Sequence, residues 1–354
     1  MTKIRMVTPM VDVLFVLKKR NNHLEWPESY TDQGGYFSSG LYNSVKFLVD
    51  RLTTLKYNTA MVEVVDNNSI DRVVTEMKPK VVVIEALWVV PDKFEVLYRL
   101  HPNIKWVIRL HSEIPFLANE GNAMGWIYQY LYKKNVYVAT NSRTTKTSLE
   151  AAFGVQVLNL PNYYPLTNTK RRKISKNQNC LNISCFGAIR PMKNHLQQAV
   201  AAIRFGNLIG KSVCFHVNAV RLEQKGDSVL HNLESLFEYS TNHELVKCPW
   251  MPHEEFKDYL KTHIDIGMQV SFSETFNIVT ADHVDLGIPV VTSKEVEFVF
   301  PLYQAEPTNE TDIVKTLYNA YTSFSHNFLN KYLLERSNME AEQTWMTTLS
   351  ALGV

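Results

Sequence analysis

Residues 269–293 read QVSFSETFNIVTADHVDLGIPVVTS, and the fold turns on this stretch. A strand ends near Val270, a serine-rich turn follows, and a helix is expected to begin near Phe276 with Glu274 at its mouth. Asp282 comes eight residues after Glu274, roughly two helical turns on, near the same face. Gly287–Ile288–Pro289 stops the helix and feeds the next strand, Val290–Thr292. A helix N-terminus at the C-terminal edge of a parallel sheet is where open α/β folds take ligands, and its free N–H groups suit phosphate. Two acids beside it suit hydroxyl-rich ligands such as a sugar and a ribose. The pattern also fits a plain amphipathic helix whose N-terminal acid complements its dipole.

Outward from this stretch, short β-branched runs alternate with longer helical patterns. Ile4–Thr8 and Val11–Val16 offer a first strand, and Gly34–Gly35 and Gly40 lead into a helix over 41–55. Ala60–Val65, Val81–Glu85, Trp106–His111 and Val136–Thr140 read as buried strands, and Val155–Pro161 as a short final one. A fresh alternation takes in Leu181–Phe186, Val213–Asn218, Ile264–Gln269 and Val290–Thr292, with helices at 194–206, 227–239, 253–262 and 276–286. Alternation of this kind means parallel sheets covered on both faces. The expected division is a domain over 1–161, a basic linker over 162–179, a second domain over 180–311 and a helical tail over 312–354.

Composition agrees with two packed cores. The 354 residues are 45% apolar and 20% charged, which excludes low-complexity disorder and a small disulfide scaffold. The net charge of +2 hides a split: residues 1–160 hold 19 Lys/Arg against 15 Asp/Glu, and the remainder 18 against 20. Any anionic partner is tipped toward the N-terminal half. The four cysteines, Cys180, Cys185, Cys214 and Cys248, show no paired spacing and read as reduced, buried thiols. The first apolar stretch, about ten residues, is too short to span a bilayer and no other window is long enough. A soluble, cytoplasmic protein is expected.

The stretch 269–293 resembles the E-x7-E signature of retaining glycosyltransferases of the GT-B fold, family 4 type. It matches at Ser271, Glu274, Phe276, Gly287, Pro289, Val290 and Val291, and departs at Thr275 and Asn277, where glycines are usual, and at Asp282, where a second Glu stands. CFGAIRPMKNH at 185–195 is similar to that family's strand–G-R-L-x-P-x-K segment: Lys193 matches the diphosphate-binding lysine, and Ala188 stands at the usual arginine, leaving Arg190 as candidate second cation. His111, at the end of WVIRLH, stands where the family has a histidine near the transferred sugar. Gly34–Gly35 resembles its N-terminal glycine loop, and VQVLNLPNYY its entry to the interdomain linker.

The resemblance implies two Rossmann-like domains facing each other across a cleft, with a C-terminal helical tail. It implies metal-independent transfer, with retention, from a nucleotide-diphosphate sugar (a UDP-sugar is the expected donor) to a hydroxyl acceptor, with no tightly bound cofactor. Glu274 would bind sugar hydroxyls, and backbone N–H groups of Thr275, Phe276, Asn277 and Ile278 sugar and phosphate oxygens. Asp282 would bind the ribose, Lys193 and Arg190 the departing diphosphate, and His111 the sugar. Asp282-x-x-Asp285 and His263-x-Asp265 read as helix and strand surface rather than as metal motifs.

The acceptor stays open at this point. The loop 17–40 mixes Lys18, Lys19 and Arg20 with Trp26, Tyr30, Tyr36 and Phe37, and Lys170–Lys173 with Lys176 forms a second basic cluster. Cations interleaved with aromatics suit a saccharide, a hydroxymethylated base in phage-type DNA flipped into the site, or peripheral contact with anionic lipid. A catalytically inactive sugar-binding module and a nucleotide-sugar epimerase are the readings from other classes.

Overall fold

The computed structural model describes residues 11–19, 40–167, 180–323 and 326–354. The expected strand Ile4–Thr8, Gly34–Gly35, the aromatics of the 17–40 loop and the basic cluster at 170–176 lie outside the described residues. The rest divides into two compact units. The first takes 11–19, 41–163 and 339–354, and the second Gly40, 164–167, 180–323 and 326–338. The chain thus passes between units at Tyr163–Tyr164, and the expected tail is shared between them.

The first unit holds a six-stranded sheet of β1 (Val13–Lys18), β2 (Thr59–Val64), β3 (Val81–Glu85), β4 (Lys105–Leu110), β5 (Val136–Thr140) and β6 (Leu158–Asn159), in the order β2-β1-β3-β4-β5-β6. Every pairing is parallel. Its helices are α1 (Gly40–Thr54), α2 (Ser69–Met77), α3 (Lys93–Leu100), α4 (Ile114–Leu117), α5 (Ala123–Leu131) and α6 (Arg143–Phe153). The central strand β3, VVVIE, is buried at every residue, which a sheet covered on both faces requires. Its alternate residues feed two cores. Val82 and Ile84 pack with Trp106, Phe94 and Tyr130, while Val81 and Val83 pack with Phe15, Leu48 and Trp345.

The second unit holds a five-stranded parallel sheet of β7 (Cys180–Ser184), β8 (Ser212–Asn218), β9 (Glu244–Cys248), β10 (Ile266–Gln269) and β11 (Val290–Thr292), in the order β11-β10-β7-β8-β9. Around it lie α7 (His195–Ile209), α8 (Gly226–Glu238), α9 (His253–His263), α10 (Ile278–Leu286) and α11 (Glu310–Thr322). The last helix, α12 (His326–Ala351), begins in this unit and ends in the first. β9 was not expected from sequence: ELVKC is an edge strand, largely half-exposed, and its mixed polarity hides it.

Three expectations are corrected here. Cys180 and Cys214 form a disulfide, and only Cys185 and Cys248 are free, buried thiols. The reason is register: Cys214 pairs with Asn182, so the two cysteines stand two residues apart across adjacent strands. This removes the cysteine argument for a reducing compartment. Second, α10 is not an amphipathic surface helix, because Thr280 to Leu286 are all buried. Third, Asp282, Asp285 and Asp265 are interior residues, 1%, 0% and 3% exposed, and not surface acids. Buried carboxylates need partners, and Asp265 finds its own in the backbone and side-chain N–H groups of Asn182, at 3.0 and 3.3 Å. Among the described residues no helix is long and apolar enough to cross a membrane.

Candidate functional site

In the second sheet the chain direction of winding reverses at β7 and β10, which are adjacent though far apart in sequence. Ligands of open α/β folds bind at such a switch point, beyond the C-terminal ends of the strands. The segments leaving these two strands are the ones singled out from sequence. After β7 the chain runs through Ala188 and Arg190 into a single 3-10 turn, Pro191–Lys193, and then α7. After β10 it runs through Ser271 and Glu274 into α10.

The two segments meet. Lys193 Nζ donates to Glu274 Oε1, with side chains 14% and 8% exposed. The same carboxylate oxygen accepts from Asn277 Nδ2 at 3.1 Å, and that amide also donates to Gln269 Oε1 at 2.9 Å. Burial alone would raise the Glu274 carboxyl. The Lys193 ammonium, its hydrogen bond and the nearby Arg190 charge outweigh burial and hold it below the usual carboxylate range. Glu274 is therefore an acceptor at neutral pH.

Asn277 explains a departure from the family pattern. Its φ is +55°, in the left-handed region that favours glycine, and Asn is among the few other residues that visit that region routinely. Its side chain then caps α10, accepting from Thr280 N at 2.8 Å and Thr280 Oγ1 at 3.1 Å. The helix starts at Ile278, two residues later than expected. The ring of Phe276 packs on Phe298, with centroids 5.0 Å apart, so its backbone is the part available to a ligand. Thr275 lies in the turn between Glu274 and this cap.

Arg190 is close enough to bias Glu274, yet its guanidinium is held by Glu223 at 2.8 Å. Glu223 also takes Arg221 at 2.6 Å, and Arg221 lies over the Trp250 ring at 4.9 Å. Asp282 is not with this group. It lies inside α10, where its Oδ1 accepts from Tyr164 Oη and pairs with His253 Nε2, each at 2.7 Å.

His111 belongs to the first unit, just past β4. Its Nε2 pairs with Glu85 Oε2 at the end of β3, and Asn141 Nδ2 lies 3.4 Å from its Nδ1. Glu85 also faces Arg109 at 3.2 Å, both fully buried, and Arg109 reaches Leu160 O at 2.8 Å and Asn162 Oδ1 at 2.5 Å. Burial, then the Arg109 charge, push the His111 pKa below its ordinary value despite the pull of Glu85. Burial would raise Glu85, but Arg109 and His111 hold it down. The ring is thus neutral, and since an ionised carboxylate can only accept, Nε2 carries the proton.

Glu85, Arg109, Asn141 and Asn162 were not found by sequence reading. Their signal was present in part: a Glu closing the run VVVI, and an Arg inside WVIRL, are charges where a doubly covered strand should be apolar. Among the described residues, no group of three or more His, Cys, Asp or Glu side chains is placed to hold a metal ion.

No protein-family model matches the chain, and no curated protein matches it in sequence. Solved structures do. Sucrose-phosphate synthase from Thermosynechococcus elongatus superposes with a TM-score of 0.66 at 12% identity, over 96% of this chain and 99% of that one. An E. coli trehalose-6-phosphate structure with bound UDP-2-fluoro glucose gives 0.66 at 11%, over 97% and 99%. The N-terminal domain of Candida albicans trehalose-6-phosphate phosphatase gives 0.66 at 11%, over 97% of each chain. At such identities the likeness concerns the fold alone. The fold is GT-B, with its two parallel α/β units and C-terminal helix.

Proposed function

We propose that the protein is a retaining glycosyltransferase that moves a sugar from a nucleotide-diphosphate donor, a UDP-sugar, to a hydroxyl of a saccharide acceptor. The observation that carries this reading is the Lys193–Glu274 pair at the switch point between β7 and β10, beside the left-handed Asn277 that opens α10. The resemblance to the family 4 type, and the sugar-phosphate and UDP-sugar names among the fold neighbours, agree with it.

The chemistry asks for few groups. As the bond from the anomeric carbon to the diphosphate breaks, negative charge gathers on the leaving oxygen, and fixed cations and N–H dipoles lower the barrier. Lys193 is the nearest fixed cation, and Arg190 adds its field from the Glu223 pair. Backbone N–H groups of Thr275, Phe276, Asn277 and Ile278 complete the anion cradle at the head of α10. Glu274, ionised and acceptor-only, takes sugar hydroxyls. Lys193 and Glu274 satisfy each other, so two largely buried charges are not left bare. The neutral His111 donates Nε2–H to Glu85 within the first unit, so that nitrogen has no lone pair with which to take the acceptor hydroxyl's proton. The leaving phosphate takes that proton.

A screen of nucleotide sugars against saccharides, sugar phosphates and hydroxymethylcytosine-containing DNA tests the proposal by product formation. Sugar on a saccharide or sugar phosphate supports it. Transfer to DNA would replace the acceptor class; binding without transfer would leave an inactive module, and sugar inversion without acceptor an epimerase.

A further inference from the structure

Asp282 and Asp285, one turn apart on α10, organise a two-rung ladder inside the second unit. In the first rung Asp282 Oδ1 takes Tyr164 Oη and His253 Nε2, each at 2.7 Å. In the second, Asp285 Oδ2 takes Lys257 Nζ at 2.9 Å, and its two oxygens take Thr167 Oγ1 at 2.9 and 2.8 Å. Asp285 Oδ1 also accepts the Thr167 backbone N–H at 2.5 Å. The spacings match. His253 and Lys257 are four apart on α9, Asp282 and Asp285 three apart on α10, and Tyr164 and Thr167 three apart on the incoming chain, so each helix offers both partners from one face. Asn338 of α12 closes the arrangement, accepting from Tyr164 N at 3.0 Å and donating to Tyr164 O at 2.7 Å.

Three facts set this apart from incidental surface pairing. Both carboxylates are buried, at 1% and 0% exposure, and so is Tyr164 at 1%. The strapped segment, Tyr164–Thr167, is where the chain passes into the second unit. The helix it is strapped to is capped by Asn277, which touches Glu274. A carboxylate committed to a buried phenol and an imidazole is poorly placed to receive ribose hydroxyls, although it occupies the position of the second acid in the E-x7-E pattern.

We propose that Asp282 and Asp285 clamp the entering segment Tyr164–Thr167 to α10, and that Asp282 is thereby a positioning residue for the head of that helix rather than a nucleotide ligand. The clamp stands on the contacts above; only its effect on a nucleotide rests on the proposed function. The shorter Asp at 282 fits this use, since its carboxylate stays within the helix layer where Tyr164 and His253 meet it. The consequence is mechanical: the turn that carries Glu274 and Asn277 is held through α10 to the point of chain entry.

The test uses the full chain as wild type, Tyr164→Phe, Asp282→Asn and the double variant. Hydrogen exchange without ligand reads the clamp: the Tyr164 and Thr167 amides should exchange about tenfold faster or more in both single variants, with β7, β8 and β10 unchanged. Binding of UDP and 2′-deoxy-UDP reads the positioning. UDP affinity should fall about fivefold in each single variant, and the double variant should be no weaker than either, as coupled neighbours behave. The ratio between UDP and 2′-deoxy-UDP should stay that of the wild type. Unchanged exchange in both variants overturns the clamp. Faster exchange with unchanged UDP affinity overturns the positioning role. Loss of the UDP preference in Asp282→Asn alone, with Tyr164→Phe like wild type, overturns the proposal in favour of a ribose ligand. If the wild type binds neither nucleotide, the donor reading fails, and exchange alone decides the clamp.

Discussion

Lys193 donates to Glu274 across the gap between the segment that leaves β7 and the segment that leaves β10. This ties together two stretches 81 residues apart in sequence, and each charge compensates the other. Asn277 shares the same carboxylate oxygen. The pair is thus held by two segments that leave adjacent strands of one sheet.

The left-handed Asn277 gives a stability prediction. Asn277→Ala loses the cap on Thr280 and places a Cβ-strained residue at φ +55°, for a cost of about 1–2 kcal/mol. Asn277→Gly removes the strain along with the cap and should stay within about 0.5 kcal/mol of wild type. Urea denaturation of both variants checks the order, and Ala matching or exceeding Gly would contradict it.

Packing of β10 against α10 gives another. A Cβ at Gly267 would lie 2.4 Å from the His283 ring. That ring is fully buried and held at both ends, Nδ1 at 2.7 Å from Val279 O and Nε2 at 2.9 Å from Ser184 Oγ. It has nowhere to go, so Gly267→Ala should destabilise by about 1–3 kcal/mol. An unchanged melting temperature would show that the helix shifts freely on the strand.

Stability should fall as pH drops from 7 toward 5. Burial, with the Lys193 and Arg190 charges, takes His195 down to about 3, and burial with the charge of His263 takes His216 to about 4. His111 and His283 are lowered as well, burial first in each case. A depressed folded-state value means the unfolded chain binds the extra proton. The stabilisation is therefore whole above the unfolded value of about 6.5 and is lost as pH falls below it, at about 1.4 kcal/mol per pH unit for each of His195 and His216. Unfolding free energies measured at pH 7.5, 6.5 and 5.5 test this. A flat profile would mean these rings protonate in place.

The Cys180–Cys214 bond predicts a thiol count. Labelling in denaturant without reductant should find two reactive thiols per chain, Cys185 and Cys248, rising to four after reduction. Four from the start would contradict the pairing.

Much of the fold was legible because doubly covered parallel strands write themselves as apolar runs. Val81–Glu85, Val136–Thr140 and Val290–Thr292 have the bounds expected of them. β9 was hidden by its place at an edge, where a strand need not be apolar. Within the proposed site, Glu274 and Lys193 were singled out through motif resemblance, and their meeting is a property of the sheet order. The surroundings of His111 were not. Glu85, Arg109 and Asn162 come from separate strands and loops, and only the register of β3 beside β4 makes them neighbours. Asp282 was legible as a residue but not in its surroundings, because its partners Tyr164 and His253 lie 118 and 29 residues away in sequence.

The most direct test of the central claim is calorimetric binding of UDP to the wild type and to Lys193→Ala and Glu274→Gln, with transfer from the matching UDP-sugar measured on the same preparations. The account predicts that UDP binds the wild type, that Lys193→Ala weakens it about tenfold or more, and that Glu274→Gln leaves UDP binding largely intact. Both substitutions should lower transfer on the order of 10²-fold. UDP binding and transfer that survive both substitutions unchanged would show that the Lys193–Glu274 pair is not the donor site.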